Sequence, residues 1–355
     1  MLSDSSISFL KQLLDTPGPS GFESAPARLW RDEARAFADV SNDVAGNSIA
    51  SVNGAGAPTI MLAGHIDEIG VIVTYIDDDG YLYIGPIGGW DPQVLVGQRI
   101  RIMGQNGDVF GVIGKKPIHV IKQEDRKKAS ELTDLWVDIA ATSREDAERL
   151  VSVGDAGVID SHTIDFPNGC IVSRSIDDRI GAFIVLEALR RYASQPGAAR
   201  VVAVATTQEE IAYQGGGARV SATRIGPQMA IVVDVTHATD YPGAEKKEHG
   251  HHKIGGGPVL TRGSIISPVV YALLRDTATR LTMPYTVHAA GRESWTDADA
   301  IHVAREGIAT GLLSIPNRYM HSPNEMVSLE DLDRAATLIA ETCRAVTPAT
   351  DFTTR

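Results

Sequence analysis

Cysteine is nearly missing: Cys170 and Cys343 are the only two in 355 residues, far apart and at no metal-binding or redox spacing. A disulfide framework is thereby excluded, and both are expected as buried free thiols. No apolar run approaches the roughly 20 residues that span a bilayer, so no membrane partner is expected. The opening stretch, MLSDSSISFLKQLLDTPGPSGFE, lacks the basic segment and apolar core of a signal peptide, which makes the cytoplasm the expected location. Positive charge is in deficit. With 33 Lys and Arg against 45 Asp and Glu, the net charge of −12 argues against nucleic acid as a partner. There is no G-x-S-x-G elbow and no P-loop, and Gly54 and Gly56 lack the third glycine of a dinucleotide fingerprint.

What is present reads as globular. The chain is 43% hydrophobic and 22% charged, and its length suits about two domains. Apolar residues at helical spacing predict helices over Ser6 to Leu14 and about Ala25 to Ala38, followed by a buried strand from Thr59 to Ala63. From about Ile69 the segments become rich in β-branched and aromatic residues, with hairpin signals at Asp79-Gly80 and Asn106-Gly107. A compact β unit closing near Ile159 is expected.

Beyond Ser173, strands and helices alternate. Strands are expected at Arg200 to Thr206, Met229 to Val235 and Thr310 to Ile315, and helices at about Arg179 to Ala193, Pro268 to Leu281, Asp297 to Arg305 and Leu329 to Ala345. This alternation predicts an α/β fold, a mixed and largely parallel sheet flanked by helices, with a small β-barrel-like domain inserted. The expected boundaries are 1–68 and 160–355 for the discontinuous α/β domain and 69–159 for the insertion.

Sites in open α/β sheets form at the carboxyl ends of strands. His65 lies just beyond the first apolar run with Asp67 two residues on, where a carboxylate could partner an imidazole bound to metal. A structural histidine is the plainer reading of His65 taken alone. Asp177 and Asp178 precede a strong helix; one of them suffices for capping, and either could reach a cation. Glu209 and Glu210 follow the wholly uncharged run VVAVATTQ, and neighbours facing opposite ways suit one metal ligand and one free base. Asp234 ends another apolar strand, where a lone carboxylate is costly to bury. His321 lies in the loop after the strand at Gly311 to Ile315. Two imidazoles and several carboxylates make a donor set suited to zinc, cobalt or manganese. By contrast His249, His251 and His252 read as part of a polar loop with Glu245, Lys246 and Lys247.

The ordered motifs GHIDEIG, IDDRIG, EE, VVDVTHATDYPG, TDADAIHVAREG and IPNRYMHSPNE closely resemble those of the tetrahedral-assembly aminopeptidases, the glutamyl and leucyl aminopeptidase family of two-zinc peptidases. The resemblance covers nearly the whole chain. It implies an α/β catalytic domain interrupted by a barrel-like dimerisation domain, with dimers assembling into hollow dodecamers. It further implies Asp177 as the carboxylate bridging two divalent ions, with His65 and Asp234 completing one site and Glu210 and His321 the other. Glu209 is implied as general base and Asp67 as the partner of His65.

The expected activity is removal of amino-terminal residues from short peptides by water activated between the ions. Two stretches depart from the family pattern: Arg292 to Trp295, where relatives are glycine-rich, and Ile211 to Gly217, where Glu-Glu-Val-Gly is usual. Both bear on which side chain fits the pocket. The rival readings are a two-metal deacylase or carboxypeptidase acting on N-acyl substrates, a catalytically silent assembly scaffold, and a glycoside hydrolase, which would need only paired carboxylates.

Overall fold

Seventeen strands form among the described residues, 1–211 and 215–353, of the computed structural model. In chain order they begin with β1 (Asp39–Asn42), β2 (Ser48–Val52) and β3 (Thr59–His65). Six follow in one block: β4 (Gly70–Ile76), β5 (Leu82–Ile87), β6 (Arg99–Gly104), β7 (Gly107–Lys115), β8 (Leu135–Asp138) and β9 (Ala156–Ile159). Then come β10 (Ile164–Phe166), β11 (Cys170–Ser173), β12 (Arg200–Thr206), β13 (Met229–His237), β14 (Val259–Gly263), β15 (Thr286–Ala290), β16 (Ala309–Asn317) and β17 (Glu325–Ser328).

The main sheet has the order β1-β2-β12-β3-β13-β16-β14-β15. Its centre, β12, β3, β13 and β16, is parallel, while β2 and β14 run antiparallel to their inner neighbours. The fold is therefore the expected α/β class with a mixed sheet.

Central strands are apolar on both sides because both faces are covered. In β3, Ile60 and Leu62 enter one core with the helices Asp4–Asp15, Ile176–Ser194 and Leu329–Ala345, whereas Met61 and Ala63 enter a second core with Ala218, Ala222 and Ile301. The same two-residue alternation runs through β12 and β13. Burying a Leu or Ile on either face contributes roughly 1.5–3 kcal/mol, so a one-residue register slip would be heavily penalised.

The block from β4 to β9 closes into an antiparallel barrel in the order β4-β5-β8-β7-β6-β9, around a core of its own that includes Val73, Ile84, Ile100, Ile113 and Val137. Gly80 and Gly107 carry the positive φ (88° and 122°) that the two expected hairpin turns require. Among the described residues no helix is long and apolar enough to cross a membrane.

Several elements differ from expectation. The strands β1 and β2 went unread because β1, the sequence DVSN, is largely exposed and carries no apolar alternation. A helix at Gly216–Ile225 was masked by the three glycines at its start. The helix expected over Asp297 to Arg305 shortens to Ala298–Ile301. Both cysteines are free, but only Cys343 is buried; Cys170, the first residue of β11 in the middle of a three-stranded sheet, is partly exposed. Part of the atypical stretch Ile211 to Gly217, residues 212–214, lies outside the described residues.

One contact positions the site. A Cβ on Gly64 would sit 2.4 Å from the backbone of Gly181, so β3 and the helix Ile176–Ser194 approach more closely than any other residue pair would permit. That approach brings His65 against the start of the helix.

Candidate metal centre

The four parallel central strands deliver their polar residues to one edge. His65 ends β3, Glu209 and Glu210 stand in a turn just beyond β12, and His321 lies in the loop after β16. Asp234 sits within β13, which continues to His237 rather than ending at the carboxylate.

Asp177 is the hub. Its Oδ1 lies 3.3 Å from Nε2 of His65 and its Oδ2 3.4 Å from Nε2 of His321. The glutamates divide between the same two imidazoles: Glu209 Oε2 is 3.8 Å from His65 Nε2, and Glu210 Oε2 is 3.4 Å from His321 Nε2. Two sets of donor atoms gather closely enough to share an ion, one from His65, Asp177 and Glu210, the other from His65, Asp178 and Asp234.

The choice between Asp177 and Asp178, open from the residues alone, acquires a geometric basis. Neither is helical in backbone conformation, although both fall in the helix span Ile176–Ser194. Asp178 accepts the backbone N–H of Gly181 at 3.1 Å and that of His65 at 3.3 Å, so it serves as the helix cap and braces β3. Asp177 faces the two imidazoles instead. Asp178 nonetheless belongs to one donor set, a position that the motif resemblance did not assign.

Below this cluster, three buried carboxylates brace the surrounding loops. Asp67 accepts the N–H groups of Glu209 and Glu210 at 3.2 and 3.1 Å, together with the hydroxyl of Ser20. Its Oδ1 also lies 3.5 Å from His65 Nδ1. Glu325 accepts the N–H of Asp177 at 3.0 Å and of His321 at 2.9 Å, tying the two loops together. Glu68 pairs with the buried Arg174 and Arg179, each at 2.9 Å, and Arg179 also donates to the carbonyls of Ile66 and Leu13.

Backbone strain accumulates at the same loops. Ser175, Gln208 and His321 occupy the left-handed region at φ of 62°, 61° and 58°. Such residues persist where surrounding bonds overdetermine them. Glu23 supplies one such bond, accepting the N–H of Gln208 at 3.1 Å.

The electrostatics describe a site crowded with negative charge. Burial, together with the charges of Asp234, Asp297 and Glu210, pushes the Glu209 carboxyl well above the usual range. Burial and Asp177 do the same to Asp234. Burial alone would depress His321, but the facing Asp177 and Glu210 outweigh it and raise its pKa to about 11. Burial likewise opposes ionisation of Asp177, yet His321 and His65 hold its carboxyl far below the usual carboxylate value.

This donor set fits divalent cations. Oε1 of Glu210 is buried with no hydrogen-bond partner among the described residues, a costly arrangement unless a cation meets it. Nitrogen and carboxylate donors without thiolate suit zinc, cobalt or manganese.

Motif reading missed Ser20, Glu23, Glu68, Arg174, Arg179, Asp297 and Glu325. Glu325 was visible as the last residue of HSPNE, four positions after His321. The others lie on elements whose proximity only the fold reveals. The expected polar loop at His249 to His252 also needs correction: His252 is buried, its Nδ1 2.7 Å from the Thr286 hydroxyl, because the loop folds against β15.

Residues 46–338 match the model of the M42 glutamyl aminopeptidases. The chain belongs to that family. Among its M42 relatives, the lysyl aminopeptidase of Pyrococcus furiosus is 35% identical over 348 residues, covering 97% of this chain and 98% of the relative. A TET aminopeptidase from the marine sediment archaeon Thaumarchaeota archaeon SCGC AB-539-E09 superposes with a TM-score of 0.92 at 35% identity, covering 97% of each chain. The TET1 peptidase of Pyrococcus horikoshii, which can assemble into a tetrahedron or a large octahedral shell, gives a TM-score of 0.85 at 30% identity over 96% of this chain and all of its own. M42 membership carries the expectation of a divalent metal, and the histidine and carboxylate groups described above are able to hold one.

Proposed function

We propose that this M42 chain is a co-catalytic two-metal aminopeptidase acting on short peptides, with zinc as the expected metal and cobalt or manganese as substitutes. The observation that carries this reading is Asp177, whose two oxygens each face a different histidine. His65 and Asp234 would hold one cation, Glu210 and His321 the other, with Asp177 shared between them.

Bound there, two divalent cations supply Lewis acidity, lowering the pKa of water and polarising the scissile carbonyl. Glu209 takes the proton from the attacking water and delivers it to the leaving amine. Its carboxylate is suited to that role because its backbone N–H is anchored on Asp67 while its side chain remains partly open to the cleft. Asp67 orients His65 and fixes the turn bearing both glutamates. With cations held by these residues, Glu209 would be ionised despite its burial and able to accept a proton.

We further propose that residues 69–159, which contain the barrel, form an inserted dimerisation unit between the catalytic segments 1–68 and 160–355. On this reading dimers assemble into a tetrahedral dodecamer, a proposal supported by the likeness to TET peptidases.

The test is hydrolysis of aminoacyl-anilides beside their N-acetylated forms, by chelated protein reconstituted with each metal. The free-amine substrates should be cleaved, the acetylated ones ignored, and the chelated protein silent. Preference for acetylated substrates would replace this reading with a deacylase. Chelator-resistant activity would remove the metals from the mechanism.

A further inference from the structure

A cavity of about 710 Å³ opens directly beside Glu209 and Glu210. That volume accommodates a long side chain with ease. Its far wall is the stretch from Glu293 to Ala300, and its near wall includes Gly215 and Arg219 at the start of a helix. The wall is joined to the catalytic strand, since the buried Asp297 accepts the hydroxyl of Thr206, the last residue of β12, at 2.5 Å. Oε1 of Glu210, buried and without a hydrogen-bond partner among the described residues, belongs to a residue that lines this same space.

We propose that this cavity receives the side chain of the substrate's first residue and selects a cationic one, lysine or arginine, with Glu293 as the selecting carboxylate. The inference rests on the aminopeptidase reading and adds the substrate class. Three carboxylates, Glu293, Asp297 and Asp299, line the wall against a single guanidinium, Arg219. Asp297 is held by Thr206, and Asp299 is occupied in holding the loop: it accepts the N–H groups of Ser294 and Trp295 and the Ser294 hydroxyl, each at 2.8 Å. Glu293 is exposed and, among the described residues, makes no ion pair, so its charge is available to a ligand. The loop that Asp299 braces also brings Trp295, 81% exposed, to the cavity lining. Its indole offers an apolar, electron-rich face to the methylene stem and cationic head of lysine or arginine. An acidic side chain would meet three carboxylates against the one guanidinium of Arg219, a lining whose negative excess disfavours it.

The experiment compares kcat/KM for the lysyl, arginyl, leucyl and glutamyl anilides, using metal-loaded full-length protein and its Glu293→Gln and Glu293→Lys variants. Wild type should favour lysine and arginine over leucine and glutamate by at least about tenfold. Glu293→Gln should lower the lysine-to-leucine ratio by about fivefold, the upper weight of one exposed ion pair, with circular dichroism and metal content as the controls for folding. Glu293→Lys should move the preference toward glutamate. Leucine or glutamate preferred by wild type, or equal loss on all four substrates in Glu293→Gln, would overturn the inference while leaving the aminopeptidase reading intact. Cleavage of none of the four would overturn both.

Discussion

Nε2 of His321 lies 3.4 Å from one oxygen of Asp177, and the other oxygen of that carboxylate faces His65 at 3.3 Å. A single side chain thus spans two imidazoles brought in by different strands. Asp177→Ala should release both ions together, because each loses a shared donor. Metal analysis after dialysis should fall from two ions per subunit to none, and full retention would remove Asp177 from the bridge.

Glu209 and Glu210 are adjacent, yet they face different histidines. Glu209→Gln should keep its metal content and lose activity by roughly two to four orders of magnitude, the usual weight of general acid–base catalysis. Loss of metal in this variant would make Glu209 a ligand rather than a base.

Glu325 touches no proposed ligand side chain, but it holds the backbone N–H groups of Asp177 and His321. Glutamine in its place keeps one acceptor and turns an N–H donor toward the other amide. Glu325→Gln should therefore weaken metal affinity by about 10- to 100-fold, the scale of lost support behind ligands, with circular dichroism unchanged. Competition against a chelator measures this, and wild-type affinity would show that the two loops hold themselves.

Glu23 supplies the pH dependence. Burial and the neighbouring Asp67 raise its pKa from 4.5 to about 7. A carboxyl raised in the folded state lends stability that is complete below the unfolded pKa and lost as pH climbs through the folded one. Glu23→Gln keeps an acceptor for Gly21 and Gln208 without the charge. Relative to wild type, the variant should gain stability between pH 5 and pH 8, by up to about 3 kcal/mol. Denaturant unfolding of chelated samples at the two pH values reads this directly, and parallel wild-type and variant curves would contradict it.

The fold was legible wherever burial imposed a pattern. The strand at Arg200–Thr206 and the helix at Leu329–Ala345 match their apolar segments residue for residue, and the glycines at 80 and 107 mark their turns. Edge strands such as Asp39–Asn42 carry no such signal, since a strand exposed on both faces has no buried side to impose alternation. The chemical residues were legible for a related reason: a carboxylate or imidazole closing a wholly apolar run stands out. Glu68 with Arg174 and Arg179 could not be read in this way. Glu68 is about a hundred residues from the two arginines, and the pairing exists only once β3 packs on the helix through Gly64 and Gly181. The same holds for the division of labour between Asp177 and Asp178, which depends on a local backbone turn that no periodicity encodes.

The most direct measurement is anomalous scattering from crystals of the zinc-loaded protein, recorded on both sides of the zinc absorption edge. Two peaks should flank the Asp177 carboxylate, one against His65 and Asp234 and the other against Glu210 and His321. A single peak there, or zinc bound elsewhere with Asp177 untouched, would contradict the two-metal account.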